Sequence, residues 1–137
     1  METFLAIGGF FLTVIGTYYA WKSYKSSADI TDDKNNFLAM YKSTQTLSLD
    51  IQRKIQKLID EKDAGNHELF ANITYQQYLT ILKREYDNSL SDKNYEAFKN
   101  NQDLTKSNIA SYLKMIETQN NALLQFKNQL LFFDLDQ

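Results

Sequence analysis

Apolar and polar positions alternate along the chain in two rhythms. From Thr3 to Trp21 there is no alternation at all: 19 consecutive residues carry no charge, and 13 of them are apolar or aromatic. At about 1.5 Å per residue this run reaches roughly 28 Å, close to the ~30 Å of a bilayer's hydrocarbon core, and it predicts a single transmembrane helix. Beyond it the apolar positions step by three and four. Phe37, Met40, Thr44, Leu47, Ile51, Ile55 and Leu58 form one such series, with Asp50, Arg53, Lys54, Lys57 and Asp60 falling between them. The spacing predicts a long amphipathic helix over about 32–64, with Asp32 and Asp33 at its positive end, Lys62 in its last turn and Gly65 as a left-handed cap.

Three local signals divide the remainder. Thr74-Tyr75-Gln76-Gln77 fits a capping box, with Ile73 and Tyr78 at the spacing of a hydrophobic staple, so a second helix starts there and carries Tyr75, Leu79, Leu82 and Tyr86 toward Leu90. Ser91 caps a short third helix and Thr105 a fourth, and Leu90 with Tyr95 and Leu104 with Ile109 repeat the staple spacing. The fourth helix, about 106–134, places Tyr112, Ile116, Gln119, Leu123, Phe126, Leu130 and Phe133 at strict 4-3 spacing. Such a seam suits a coiled-coil-like core or an oligomer interface. A second stripe of Ile109, Leu113, Leu124 and Leu131 makes the apolar face too broad for one partner helix. The predicted fold is all-α: an anchor at 1–25 followed at 26–137 by a bundle of about four helices, two long and two shorter.

The ends of the first run determine its orientation. Tyr18, Tyr19, Trp21 and Tyr24 are rings that favour the headgroup level, and Lys22 and Lys25 follow at once, whereas no Lys or Arg precedes the run. The positive-inside bias therefore places the bundle in the cytoplasm, with the anchor in what would be a bacterial inner membrane. A cleaved signal peptide is the rival, since Ser26 and Ala28 fit a small-x-small site. Against it stand the missing basic start in Met1-Glu2-Thr3, the length of the run and the lysines before the cut. Gly9, Thr13, Gly16, Thr17 and Ala20 line one face of the anchor with small side chains, which suits close packing against another membrane helix.

Composition narrows the chemistry. The 137 residues include no Cys, no Pro and one His, with 15 Lys+Arg against 17 Asp+Glu. Thiolate metal sites, disulfides and multi-histidine metal clusters are excluded within one chain, and a net charge of −2 exerts no general pull on duplex nucleic acid. His67 reads as a solvated loop residue. The stretch from Asp60 fails as a calcium loop, because Lys62 and Ala71 occupy positions that need oxygen donors. Asp60, Glu61 and Asp63 read as a charged helix end, and Asn72-Ile73-Thr74 as a chance sequon. No phosphate-binding glycine motif is present, so neither an enzyme nor a cofactor is expected.

One basic and aromatic set remains: Arg53 and Lys57 on the first long helix, Lys83, Arg84 and Tyr86 on the second, Lys93 and Tyr95 on the third. Such groups pair with phosphates and stack on bases, which makes them candidate ligands for an anionic small molecule. Two functions follow. The first is a membrane-anchored protein whose bundle self-associates and recruits a protein partner. The second is a membrane effector in which a bound nucleotide-type ligand alters helix packing; one short anchor with a small helical cytoplasmic domain is similar to the general plan of small effectors in bacterial antiviral defence.

Overall fold

The computed structural model describes residues 30–135, which form a mostly helical bundle. Helix α1 spans Thr31–Lys62; a single 3-10 turn, Ala64–Asn66, leads to strands β1 (Glu68–Phe70) and β2 (Ile73–Thr74). Helix α2 (Tyr75–Glu85) passes through a π-turn at Tyr86–Leu90, and α3 (Asp92–Asn100) continues the same arm; α4 (Lys106–Leu135) closes the bundle. The four predicted helices are thus four segments in three arms. Among the described residues, no helix is long and apolar enough to cross a membrane. The predicted anchor, with its small-residue face Gly9, Thr13, Gly16, Thr17 and Ala20 and its interface set Tyr18, Tyr19, Trp21, Lys22, Tyr24 and Lys25, lies outside the described residues.

The local punctuation is where the sequence places it. Thr74 Oγ1 accepts from the Gln77 amide at 3.2 Å, while the Thr74 amide donates to Gln77 Oε1 at 2.9 Å, completing the capping box. Ser91 Oγ accepts from the Asn94 amide at 3.3 Å, and Thr105 Oγ1 from the Asn108 amide at 3.1 Å. Two expectations are corrected. Helix α1 stops at Lys62, and its left-handed residue is Asp63 (φ 51°); Gly65 sits in the 3-10 turn without a positive φ. Aspartate tolerates that conformation better than most side chains, so the glycine is not needed for the cap. The fold is also not purely helical: β1 and β2 form an antiparallel hairpin whose turn residues Ala71 and Asn72 both have positive φ, 47° and 64°. Tight two-residue hairpin turns require that conformation.

Arm directions follow from cross-contacts. Lys34 Nζ donates to the Asn101 carbonyl at 2.8 Å, and the rings of Phe37 and Phe98 (5.1 Å) and of Tyr41 and Tyr95 (5.8 Å) pair in turn, so α3 runs antiparallel to α1. Helix α4 runs parallel to α1. Its contacts ascend together: Lys106 with Asp33 at 4.0 Å, Tyr112 with Phe37 at 6.1 Å between rings, Asn120 Nδ2 donating to Thr44 Oγ1 at 3.0 Å, and Lys127 with Asp50 at 4.0 Å. Among the buried positions of α1, Phe37, Tyr41, Thr44, Ser48, Ile51, Ile55 and Leu58 keep the same 4-3 spacing as the α4 seam, with Leu38, Gln45, Leu47 and Gln52 buried beside them. A constant offset aligns the two series, Phe37 with Tyr112 through Ile55 with Leu130. Of the predicted positions Met40 and Leu47, Leu47 is buried and Met40 half-buried against the core, and Tyr41 and Ser48 join them on the buried face.

Apolar packing falls into two clusters. One joins Phe37, Leu38 and Tyr41 to Leu90, Leu104, Ile109, Tyr112 and Ile116; the other joins Ile51, Ile55 and Leu58 to the hairpin residue Leu69, to Tyr78, Leu79 and Leu82 of α2, and to Leu123, Phe126 and Leu130. Between them lies a buried polar layer of Thr44, Gln45, Ser48, Gln52 and Gln119.

Candidate functional site

The basic and aromatic candidates do not converge. Tyr95 packs at the level of Tyr41, whereas Arg53 lies twelve residues further along α1, about 18 Å at ~1.5 Å per residue. Lys42 Nζ stands 4.3 Å from the centre of the Tyr95 ring and 3.4 Å from Asp92, so this ring face is taken by a cation of the protein itself. Tyr86 is half-buried, and burial first, then the Asp92 carboxylate, hold its hydroxyl above its ordinary pKa. Arg53 pairs with Asp50 at 3.1 Å. Arg53, Lys54, Lys57, Leu58, Glu61 and Lys62 line a depression of about 320 Å³ made by one helix alone. Lys83, Arg84 and Lys93 are exposed, the first two on the last turn of α2 and the third on α3. A phosphate reaching any of these cations would meet solvent-screened charges with nothing to enclose it.

The seam residues occupy a different environment. Tyr112, Ile116, Gln119, Leu123, Phe126 and Leu130 are all buried within a single chain, against α1, α2 and the hairpin. Phe133 lies in the last turns of α4, and its side chain is outside the described residues. The broad second stripe divides. Ile109 is buried and Leu113 half-buried, while Leu124 and Leu131 are 45% and 46% exposed; Phe132, at 70%, joins them. These are the large apolar side chains that stand exposed among the described residues. They share one half of one helix.

That half of α4 also lacks charge. From Thr118 to Phe133 the only ionisable residue is Lys127, and it is half-buried and turned toward Asp50 at 4.0 Å. The corresponding part of α1 carries Asp50, Arg53, Lys54 and Lys57. Depletion of charge around exposed apolar side chains is the composition of an interface centre rather than of a solvated helix face. The gap in charge was readable in the sequence; its exposure required knowing which of the two α4 stripes the bundle covers.

Groups suited to chemistry are scarce. Among the described residues, no set of three His, Cys, Asp or Glu side chains is placed to hold a metal ion. His67 and the carboxylates Asp60, Glu61 and Asp63 are exposed around the end of α1. The hydroxyls raised most, Tyr41 and Tyr78, owe it to burial in the core. Tyr41 donates to the Ser89 carbonyl and Gln45 to the Leu90 carbonyl, so both serve to satisfy the π-turn that joins α2 to α3.

The chain matches no family model, no curated protein and no solved structure. The geometry therefore stands by itself: a three-armed bundle with one uncharged, apolar outer face.

Proposed function

We propose that this chain is a single-pass, membrane-anchored helical protein whose bundle lies in the cytoplasm, self-associates and recruits a protein partner. The observation that carries the reading is the uncharged run Thr3–Trp21, closed by Trp21, Lys22, Tyr24 and Lys25, directly before a bundle with an uncovered apolar face. The anchor confines copies to a plane and raises their effective concentration, so a modest contact face suffices for assembly. The charged faces of α1 and α2 remain for partners, with Arg53, Lys57, Lys83 and Arg84 as the accessible cations.

Fractionation tests the anchor. The full chain is expected in the membrane pellet and resistant to carbonate extraction. Leu12→Arg, in the middle of the run, costs about 2.5–3.5 kcal/mol of insertion and shifts the chain toward the soluble fraction. Orientation is read by protease added outside intact cells, which is expected to leave residues 29–137 uncut. A parent chain found wholly in the soluble fraction, or a bundle cleaved from outside, overturns the reading.

A further inference from the structure

The exposed half of α4 carries a second heptad, on the flank of the buried seam, where Leu124 borders Ser43, Thr46, Leu47 and Asp50 of α1. Asn121, Leu124, Asn128 and Leu131 step by 3-4-3, and the next step falls on Leu135. All four of the first set are exposed. In heptad terms the asparagines hold one seam position and the leucines the other, a pattern with a specific partner. Further back the same positions hold Lys114 and Glu117, so the apolar seam is confined to the last two heptads of the helix.

We infer that this face pairs with the same face of a second copy, as a short parallel coiled coil about a two-fold axis running along α4. Three features select that occupant. Between Asn121 and Leu131 this face of α4 has no charged residue, and the neighbouring Asp50 of α1 is paired with Arg53 and Lys127, so juxtaposing two identical copies brings little like-charge repulsion. Each asparagine amide has both a donor and an acceptor, so an asparagine meeting its own symmetry mate satisfies both. Parallel pairing sets Asn121 and Asn128 opposite themselves and Leu124 and Leu131 opposite themselves. Antiparallel pairing sets each asparagine against a leucine, leaving buried amides without partners. Phe132, 70% exposed beside Leu131, extends the contact on one flank.

The pairing is short, about 22 Å over 15 residues at ~1.5 Å each. An isolated helix of that length is marginal, but here α4 is already ordered by the seam against α1, so the nucleation cost is met by the bundle. Holding copies in one membrane raises their effective concentration and favours parallel chains, but the pairing itself uses only the α4 face. The inference deepens the self-association part of the proposed function and is independent of whether the anchor reading holds.

Because the chain has no Cys, single introduced thiols report the register directly. Full-length chain is oxidised in unfractionated cells after Asn121→Cys or, separately, Asn128→Cys, with Lys93→Cys on the exposed face of α3 as a control. The expected result is a disulfide-linked dimer from each of the first two and none from the third. A seven-residue displacement, about 10 Å, exceeds disulfide reach, so linkage at both α4 positions requires a parallel, in-register pair. Leu124→Glu with Leu131→Glu is expected to reduce both cross-links at least tenfold while leaving the helical circular dichroism of the chain unchanged, since neither side chain is part of the buried core. Linkage at only one α4 position, at neither, or equally at Lys93→Cys overturns the inference. Linkage at both α4 positions in a chain that fractionates as soluble preserves it while removing the anchor.

Discussion

At the residue scale, two backbone positions carry opposite expectations from the ones their side chains suggest. Ala71 occupies a left-handed hairpin turn position (φ 47°) without the freedom of glycine, whereas Gly65 sits at an ordinary φ with room for a methyl group, 3.5 Å from Ile59 Cγ2. Ala71→Gly therefore relieves about 1 kcal/mol of strain, and Gly65→Ala gains about 0.4–1 kcal/mol by restricting the unfolded chain. Urea denaturation of the two variants is expected to show both midpoints above that of the parent. The buried tyrosines set a pH limit. Burial raises the Tyr41 and Tyr78 hydroxyls above their ordinary value of 10.0, with Tyr86 and Asp92 adding to the effect at Tyr41. Below pH 10 both states are protonated and nothing changes. Above it the unfolded chain loses protons that the folded chain keeps, so stability falls by up to ~1.4 kcal/mol per pH unit for each group. The urea midpoint is expected to hold from pH 7 to 9 and drop steeply above 10. Tyr78→Phe makes that drop shallower.

At the scale of elements, the capping signals were legible because they are local. Thr74, Ser91 and Thr105 each meet an amide three residues on, and no distant contact is needed to decide it. The hairpin was not legible, since its strands are two and three residues long and its turn is Ala71-Asn72 in place of the usual glycine pair. What holds it is the burial of Leu69 against α1 and α2, a tertiary effect. The polar layer between the two apolar clusters yields a paired prediction. Gln45 Nε2 donates to the Leu90 carbonyl and to Asp92 Oδ1, while Gln119 Oε1 is buried with no hydrogen-bond partner among the described residues. Gln45→Leu orphans a π-turn carbonyl and is expected to cost about 1–3 kcal/mol; Gln119→Leu removes an orphan and is expected to gain roughly 1 kcal/mol. Two glutamines thus sort by partner, and thermal melting of the two variants checks the sign of each.

At the scale of the whole molecule, the parallel pairing of α1 and α4 ties the two clusters into one cooperative body, because both helices run through both. The sequence showed two long helices with 4-3 spacing but not their alignment, which depends on the arm that crosses back between them. The basic candidates suffered from the same gap: Arg53 and Tyr95 sit on helices that do touch, yet at levels far apart. Helix α3 is the exception to the shared core. None of its nine residues is buried, and it is held by the half-buried rings of Tyr95 and Phe98 against Phe37, Tyr41 and Tyr112. On its α2 side it meets the π-turn and on the other the loop before Thr105, so it can open without breaking the α1–α4 seam. Amide exchange followed by mass spectrometry is expected to show residues 92–100 exchanging at least tenfold faster than the central turns of α1 and α4. Phe98→Ala removes the ring that contacts Phe37, Tyr41 and Tyr112 and is expected to raise exchange in α3 further, leaving that around Ile51 and Leu123 nearly unchanged. Protection in α3 equal to that of α1, or a uniform rise across the bundle in the variant, would show that all three arms open only together.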